Sequence, residues 1–158
     1  MGSRPHGRSW RSRQNGGMAD DALAAQQAAM AEISRQLLAG MPPGAERVVL
    51  TAEVISTVTR AAYLVIYPNG QQAAYSPGRP VDDEALDALR DAMYRDDVGT
   101  WFGLQFVQLA DGRTSAQFNH DHDPQLTTAT ANDWRLDLDV YPRSEQHVPG
   151  WLAARLLG

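Results

Sequence analysis

The segment HDHD at residues 120–123 holds the densest group of potentially reactive side chains in the sequence. If this segment continues a β-strand, His120 and His122 point to one face and the two aspartates point to the other. Two imidazoles on one face could bind zinc, but a catalytic zinc site needs a third protein ligand. Only His147 and His6 remain as further histidines. His120 and His122 are therefore metal candidates without an assigned third ligand, and the simpler interpretation is a strand end that leads into an acidic loop.

No set of residues indicates a catalytic site. Cysteine is absent, and there is no Gly-x-Ser-x-Gly elbow, P-loop or dinucleotide-binding glycine motif. A pair of His120 or His147 with Asp121 or Glu145 would lack a nucleophile to activate. The sequence predicts a protein that is not an enzyme, has no catalytic residues and uses no cofactor.

Charge is distributed unevenly along the 158 residues. Residues 1–17 contain four arginines and no acidic residue, whereas the rest of the chain has 10 arginines against 19 acidic residues, a net charge of −9. An acidic domain argues against nucleic acid as a partner and favours a basic protein partner, although acidic surfaces also serve solubility alone. No apolar run is long enough to span a membrane, so we expect no membrane partner.

The arginine-rich start lacks the apolar segment of a signal peptide. We therefore predict a disordered tail at residues 1–18 and a single domain at residues 19–158. The lack of cysteine is compatible with a reducing compartment, and the expected location is cytoplasmic. We expect the free protein to be a monomer or a weak dimer.

Residues 99–123 show the clearest structural pattern, which is two alternating runs on either side of a turn at Asp111-Gly112. This pattern predicts a β-hairpin with one buried face. A three-residue loop with Gly112 in the left-handed conformation sets Leu104 opposite Phe118, whereas a two-residue loop would set Phe118 opposite Gln105 and mix the two faces. The chosen register also pairs Phe106 with Ala116 and Phe102 with His120.

Other segments predict an α+β fold with an antiparallel sheet of about five strands. A helix is expected from Asp20-Asp21 to about Leu38, with Leu23, Met30, Ile33 and Leu37 near one face. A three-strand meander follows at residues 47–55, 60–67 and 72–76. A second helix runs from Asp82 to about Tyr94, and the hairpin then extends the sheet.

The C-terminal segment is ambiguous. Residues 134–141 alternate like a strand but also place Trp134, Leu138 and Tyr141 at helical spacing, and we favour a helix capped by Asn132 or Asp133. A short terminal helix is expected from Pro149 to Leu157. N-terminal, middle and C-terminal helices thus pack the sheet.

The face of the hairpin opposite its apolar residues carries a tryptophan among small polar and acidic groups. Such a surface is typical of a protein-binding site, although a terminal helix could instead cover this face and bury Trp101. The predicted binding residues are Trp101, Gln105, Gln117, Asn119, Asp121 and Asp123.

The order of elements and several motifs resemble a known family. Thr51-Ala52-Glu53-Val54 in a first strand, Trp101-Phe102, Asp111-Gly112, Phe118 and Asn119-His120-Asp121 resemble the YezG-like family of bacterial immunity proteins. MYRDDVGTWF at residues 93–102 and YPRSEQHVPGWL at residues 141–152 look similar to actinobacterial polymorphic-toxin immunity proteins. The sequence departs from this pattern at His120 and His122, where an aromatic or acidic residue is expected.

The resemblance implies a non-enzymatic immunity protein that binds a cognate toxin and occludes its active site. In this interpretation Asp121 and Asp123 engage basic groups of the toxin, and Trp101 is an apolar anchor. Two alternatives remain open, an acidic adaptor or chaperone of a secretion system and a metal-binding enzyme that uses His120 and His122.

Overall fold

Five antiparallel strands form one sheet, and helices cover one of its faces and one of its ends. The computed structural model describes residues 7–158, with side chains from residue 19 onward. The elements are α1 (Gly7–Ala39), β1 (Arg47–Ile55), β2 (Val58–Ile66), β3 (Gln72–Tyr75), α2 (Asp83–Met93), β4 (Gly103–Leu109), β5 (Thr114–Asn119), α3 (Ala131–Val140), a 3-10 turn (Glu145–His147) and α4 (Gly150–Leu156). No helix in this described part is long and apolar enough to cross a membrane.

The strand order is β3-β2-β1-β4-β5, which confirms the predicted α+β class. β1 is the central strand and pairs antiparallel with both β2 and β4. The meander β1-β2-β3 forms through short turns, and the β4-β5 hairpin joins it after α2. The prediction that the hairpin extends the sheet is therefore correct.

The hairpin has the predicted register from Gly103 to Gln108, but the predicted pair of Phe102 with His120 is not formed. Phe106 pairs with Ala116 and Leu104 with Phe118. The Leu109 N–H donates to the Arg113 carbonyl at 2.9 Å, which closes a three-residue loop. Gly112 has φ 100°, and this positive angle is the reason that the turn needs glycine.

Helix α1 packs on the sheet through its C-terminal turns. Ile33 and Leu37 are buried, but Leu23, which was predicted to lie near the same apolar face, is 54% exposed. The helix begins at Gly7, well before the predicted start at Asp20. The predicted tail at residues 1–18 lies outside the residues whose side chains are described, so its disorder stays a prediction.

Helix α2 agrees closely with the sequence pattern. The Asp82 carboxylate accepts the Ala85 N–H at 2.8 Å and caps the helix. Leu86 and Leu89 are buried against the sheet and α1, while Met93 is half-buried. The same helix also buries Arg90, which the sequence analysis did not anticipate.

The ambiguous C-terminal segment is helical, as favoured. Its cap is Thr130, not Asn132 or Asp133, and Asp133 completes a capping box with Thr130. α4 follows Pro149, and its Leu152 is fully buried. The two helices close one end of the sheet rather than one of its faces.

The interior consists of two hydrophobic clusters. The larger one joins α1, α2 and one face of the sheet, and it includes Leu50, Trp101 and Phe106. The smaller one lies under α3 and α4, with buried members Ile55, Phe102, Leu126, Trp134 and Leu152.

A β-bulge at the start of β4 assigns Trp101 and Phe102 to different clusters. Gly103 is paired with Asn119, yet the Phe102 N–H also donates to the Asn119 carbonyl at 2.7 Å. Two consecutive residues thus face one residue of β5, which reverses the alternation of side chains. The predictions of an exposed Trp101 and of Phe102 on the same face as Leu104 are wrong, because Trp101 is 0% exposed and Phe102 packs under the C-terminal helices.

A buried ion pair joins the two clusters. Arg90 donates to both oxygens of Asp137, at 2.6 and 3.1 Å, and its Nε donates to the Trp101 carbonyl at 2.8 Å. Asp137 Oδ1 also accepts the Ser56 N–H and hydroxyl, each at 2.8 Å. The pair therefore connects α2, the start of β4, the β1-β2 turn and α3.

Replacement of Asp137 by alanine should lower the free energy of unfolding by about 3–5 kcal/mol, because Arg90 would stay buried without its counter-charge. The matched control is Glu32→Ala, which removes an exposed ion pair with Arg35 and should lower the free energy of unfolding far less, because water screens the pair. Urea denaturation followed by circular dichroism measures both. Equal losses in the two variants would contradict the structural role of the buried pair.

Candidate interaction surface

The sheet face opposite α1 and α2 is not covered by any helix in the described part of the chain. Its side chains come from alternate residues of each strand, and apart from Gly103 they are exposed or half-buried. We call this surface the open face. Its members are Arg60, Ala62, Leu64, Ile66, Arg47, Val49, Thr51, Glu53, Gly103, Gln105, Val107, Leu109, Ser115, Gln117, Asn119, Gln72 and Ala74.

Cross-strand pairing arranges the open face into rows of different character. One row is mainly apolar and runs across all five strands as Ala74, Leu64, Val49, Val107 and Ser115. The next row is polar on three strands, with Thr51, Gln105 and Gln117 side by side. The open face therefore has an apolar band beside a band of hydroxyl and amide groups.

A shallow pocket of about 420 Å³ lies at the polar end of the open face. The Glu53 carboxylate pairs with Arg60 at 3.0 Å on one side of the pocket. Arg60 also donates to the carbonyl groups of Gln125 and Pro124, each at 3.1 Å. This arginine thus connects the acidic loop, residues 120–125, to the start of β2 and fixes one wall of the pocket.

Four of the six predicted binding residues line this pocket, namely Gln105, Gln117, Asn119 and Asp123. Asp121 does not line it, although its side chain is 79% exposed and lies on the same loop. Trp101 is excluded, because it is buried in the larger cluster. The structure therefore gathers most of the predicted set, without its aromatic member.

The acidic loop is held in place by hydrogen bonds. Asn119 donates to the His122 carbonyl at 2.8 Å and accepts the His122 N–H at 2.9 Å. Asp123 accepts the Gln125 N–H at 2.8 Å and pairs with Arg155 of α4 at 2.9 Å. Asn119 and Asp123 were predicted to contact a partner, and the structure shows that they also hold the loop in its conformation.

Arg143 anchors the start of the same loop from within the protein. Its side chain is 2% exposed, and one of its nitrogens donates to the carbonyl groups of Thr100 and His120, at 2.9 and 2.8 Å. The guanidinium carbon lies 4.6 Å from the centre of the Phe102 ring. Burial lowers the pKa of Arg143 from its ordinary value, and the nearby Asp121 opposes this shift.

The histidines do not form a metal site in the described residues, where no three His, Cys, Asp or Glu side chains are placed to hold an ion. His120 packs near the Phe118 ring, with ring centres 6.4 Å apart, whereas His122 is exposed. Burial lowers the pKa of His120 from its ordinary value, Asp121 opposes this shift, and Arg143 and Arg95 add to it.

Sequence reasoning missed Glu53 and Arg60 as members of the site. The alternation of residues 47–55 contained the signal, because the residues between the buried Val48, Leu50, Ala52 and Val54 must point to the opposite face. The role of Arg143 carried no such signal. It depends on a contact between segments that are 23 residues apart in the chain.

Gly99→Ala should destabilise the protein more than Gly112→Ala. Both glycines have positive φ, 105° and 100°, so the backbone strain of about 1–3 kcal/mol is similar. Only at Gly99 would the added methyl group meet the Arg143 guanidinium, whose Cζ would lie 2.7 Å away. We expect an extra loss of about 1 kcal/mol or more at Gly99, measured by urea denaturation. Equal losses would show that Arg143 moves aside freely.

The free energy of unfolding should decrease as the pH falls below about 6.5. The folded-state pKa of His120 lies below its ordinary value, so the unfolded chain binds the proton more tightly and acidification favours unfolding. His120→Gln should reduce the slope of stability against pH between pH 7 and 5. His122→Gln, which changes an exposed imidazole of the same loop, is the control. Identical slopes in the native protein and His120→Gln would contradict the assignment.

Comparison with known proteins does not assign this chain to a family. Neither a protein-family model nor a curated protein matches the sequence. The resemblance to immunity proteins therefore stays a prediction. The open face, its apolar band and the pocket at its polar end are the structural features that bear on function.

Proposed function

We propose that this protein is an immunity protein that binds a bacterial toxin through the open face and thereby blocks the toxin's active site. The observation that carries the proposal is the apolar band across four of the five strands, with Leu64, Val49 and Val107 side by side on a face that no described helix covers. The motifs that resemble immunity proteins favour a toxin as the partner.

The apolar band fits a protein partner because of its composition and shape. Protein interfaces combine an apolar centre with a polar rim. On the open face the aliphatic side chains lie beside Thr51, Gln105 and Gln117, whose hydroxyl and amide groups can hydrogen bond with a partner. A sheet also holds these groups on rigid backbone, which lowers the entropic cost of binding.

The charge of the domain fits a basic toxin. Ten arginines against 19 acidic residues from Met18 onward give a net charge of −9, which speeds encounter with a positively charged protein. Beside the polar end of the open face, Asp121 is 79% exposed and makes a long ion pair of 3.6 Å with Arg143. Asp123 is less exposed and makes a shorter pair of 2.9 Å with Arg155, so Asp121 is the more available carboxylate and the main acidic contact in this proposal.

The proposed mechanism is occlusion. The apolar band would bury the rim of the toxin's active site, and the pocket beside Gln105 and Gln117 would accept one projecting side chain. Trp101 has no part in this contact, because it lies inside the larger cluster. Loss of toxin activity would follow from blocked substrate access.

Val107→Lys should weaken binding of the toxin encoded beside this gene by at least about tenfold, because it places a charge in the centre of the apolar band. Val140→Lys is the matched control, since Val140 is 56% exposed on α3 and lies away from the open face. Binding is measured by calorimetry on purified proteins, and protection by growth of cells that express the toxin. Thermal melting confirms that both variants are folded.

Several outcomes would overturn the proposal. If the native protein neither binds the neighbouring toxin nor restores growth, the immunity function is wrong. If the protein instead binds a component of a secretion apparatus, the adaptor function replaces it. If Val107→Lys and Val140→Lys bind the toxin equally well, the open face is not the docking surface.

A further inference from the structure

The two edges of the sheet are protected to different degrees. β3 is only four residues long and is followed by Pro77 and Pro80. β5 is six residues long, with the sequence TSAQFN, and contains neither a charged residue nor proline. Natural proteins usually protect a free edge by short length, charge or proline, because its unpaired backbone groups can pair with another strand. β5 uses none of these devices along its length.

The free backbone groups of β5 can be assigned from the register. The Leu109 N–H donates to the Arg113 carbonyl, and hydrogen-bonded pairs alternate along an antiparallel ladder. Ser115 and Gln117 therefore bond to β4, while Thr114, Ala116 and Phe118 direct their N–H and C=O groups to the free edge. No hydrogen bond between described residues uses these outward groups.

We propose that the edge of β5 pairs antiparallel with β5 of a second copy of this chain, which joins the two sheets into one. A two-fold axis beside Ala116 would place Thr114 of each copy opposite Phe118 of the other. Three hydrogen-bonded pairs with two bonds each would form, or about six bonds in total. The half-buried Phe118 side chain would lose further contact with water beside Thr114 of the second copy.

The charges in and around β5 are compatible with a second copy of the chain as the partner. No residue of β5 is charged, so no like charges face each other within the new ladder. Arg113 precedes the strand and Asp121 follows it. Their side chains are 76% and 79% exposed, although Arg113 pairs with Asp111 at 2.9 Å and Asp121 pairs with Arg143 at 3.6 Å. In the antiparallel arrangement Arg113 of one copy lies diagonally across from Asp121 of the other, and the same register sets Asp111 opposite Asp121, so Arg113 neighbours both carboxylates at each end of the ladder.

The arrangement keeps the open face available. Side chains directly opposite each other in a ladder point to the same face, so the open faces of the two copies would form one continuous surface. Ser115 of each copy would lie opposite Gln117 of the other on that surface. The contact is limited to one strand per copy, so the dimer should be weak and dependent on concentration.

A pair of double variants tests this register. Ser115→Lys with Gln117→Lys would set lysines opposite lysines and should weaken dimerisation by at least about tenfold. Ser115→Lys with Gln117→Glu would set opposite charges against each other and should dimerise at least as tightly as the native protein. Gln146→Lys with Ala153→Lys changes the net charge equally at exposed residues of the C-terminal region and is the control.

Sedimentation velocity of the full chain without toxin, over a range of concentrations, gives the result directly. The native protein should shift from 17.3 kDa toward twice that mass as concentration rises. A native protein that stays monomeric up to about 1 mM would overturn the proposal. So would equal dimerisation of the two Ser115 variants, or loss of the dimer in Val107→Lys, which would assign self-association to the open face. Because no toxin is present, the outcome is independent of the proposed function.

Discussion

The buried pair of Arg90 and Asp137 is the interaction on which the arrangement of the C-terminal half depends. Arg90 donates hydrogen bonds to Asp137 and to the Trp101 carbonyl, and Asp137 also accepts two hydrogen bonds from Ser56. Four segments that are distant in the chain thus share one set of charge-assisted hydrogen bonds. A buried ion pair seldom adds much stability over apolar packing, but it penalises every arrangement in which one partner is left alone. Its contribution is therefore to fix where α3 lies against the end of the sheet.

The position of α3 and α4 has a direct effect on the candidate site. Because these helices pack at the end of the sheet, with Trp134 of α3 beside Phe102, they leave the open face free along its length. They also anchor the acidic loop through Arg155 and through Trp151, whose indole N–H donates to the Asp121 carbonyl at 2.7 Å. A loop held in this way presents its groups to a partner in a nearly fixed geometry, and little conformational entropy is lost on binding.

The sequence was sufficient for those parts of the fold that depend on local patterns. Alternation around Asp111-Gly112 identified the hairpin and its register, because only one loop length keeps Phe106, Ala116, Leu104 and Phe118 on one face. It failed at Trp101, where the bulge at Phe102 reverses the side-chain direction. Gly103 was the local sign of this bulge, because a glycine within a strand often marks one. The roles of Arg90 and Arg143 were likewise invisible, because each depends on contacts between segments distant in the chain. Gln105, Gln117 and Asn119 were found because they follow from the register, whereas Asp123 was found as an acidic residue of the loop that follows the strand.

The strand order has a consequence for the folding reaction. β1 is joined to β2 by a two-residue turn, whereas β2, β3 and α2 all lie between β1 and β4 in the chain. Each hairpin forms with a small entropic cost of loop closure, whereas pairing β4 with β1 requires closure of a much longer loop. The rate-limiting step should therefore be the meeting of two preformed hairpins along the centre of the sheet. Helix α2 lies within that loop and carries Arg90. The pairing of β4 with β1 therefore also brings Arg90 to the position where it binds Asp137 and orders the C-terminal half.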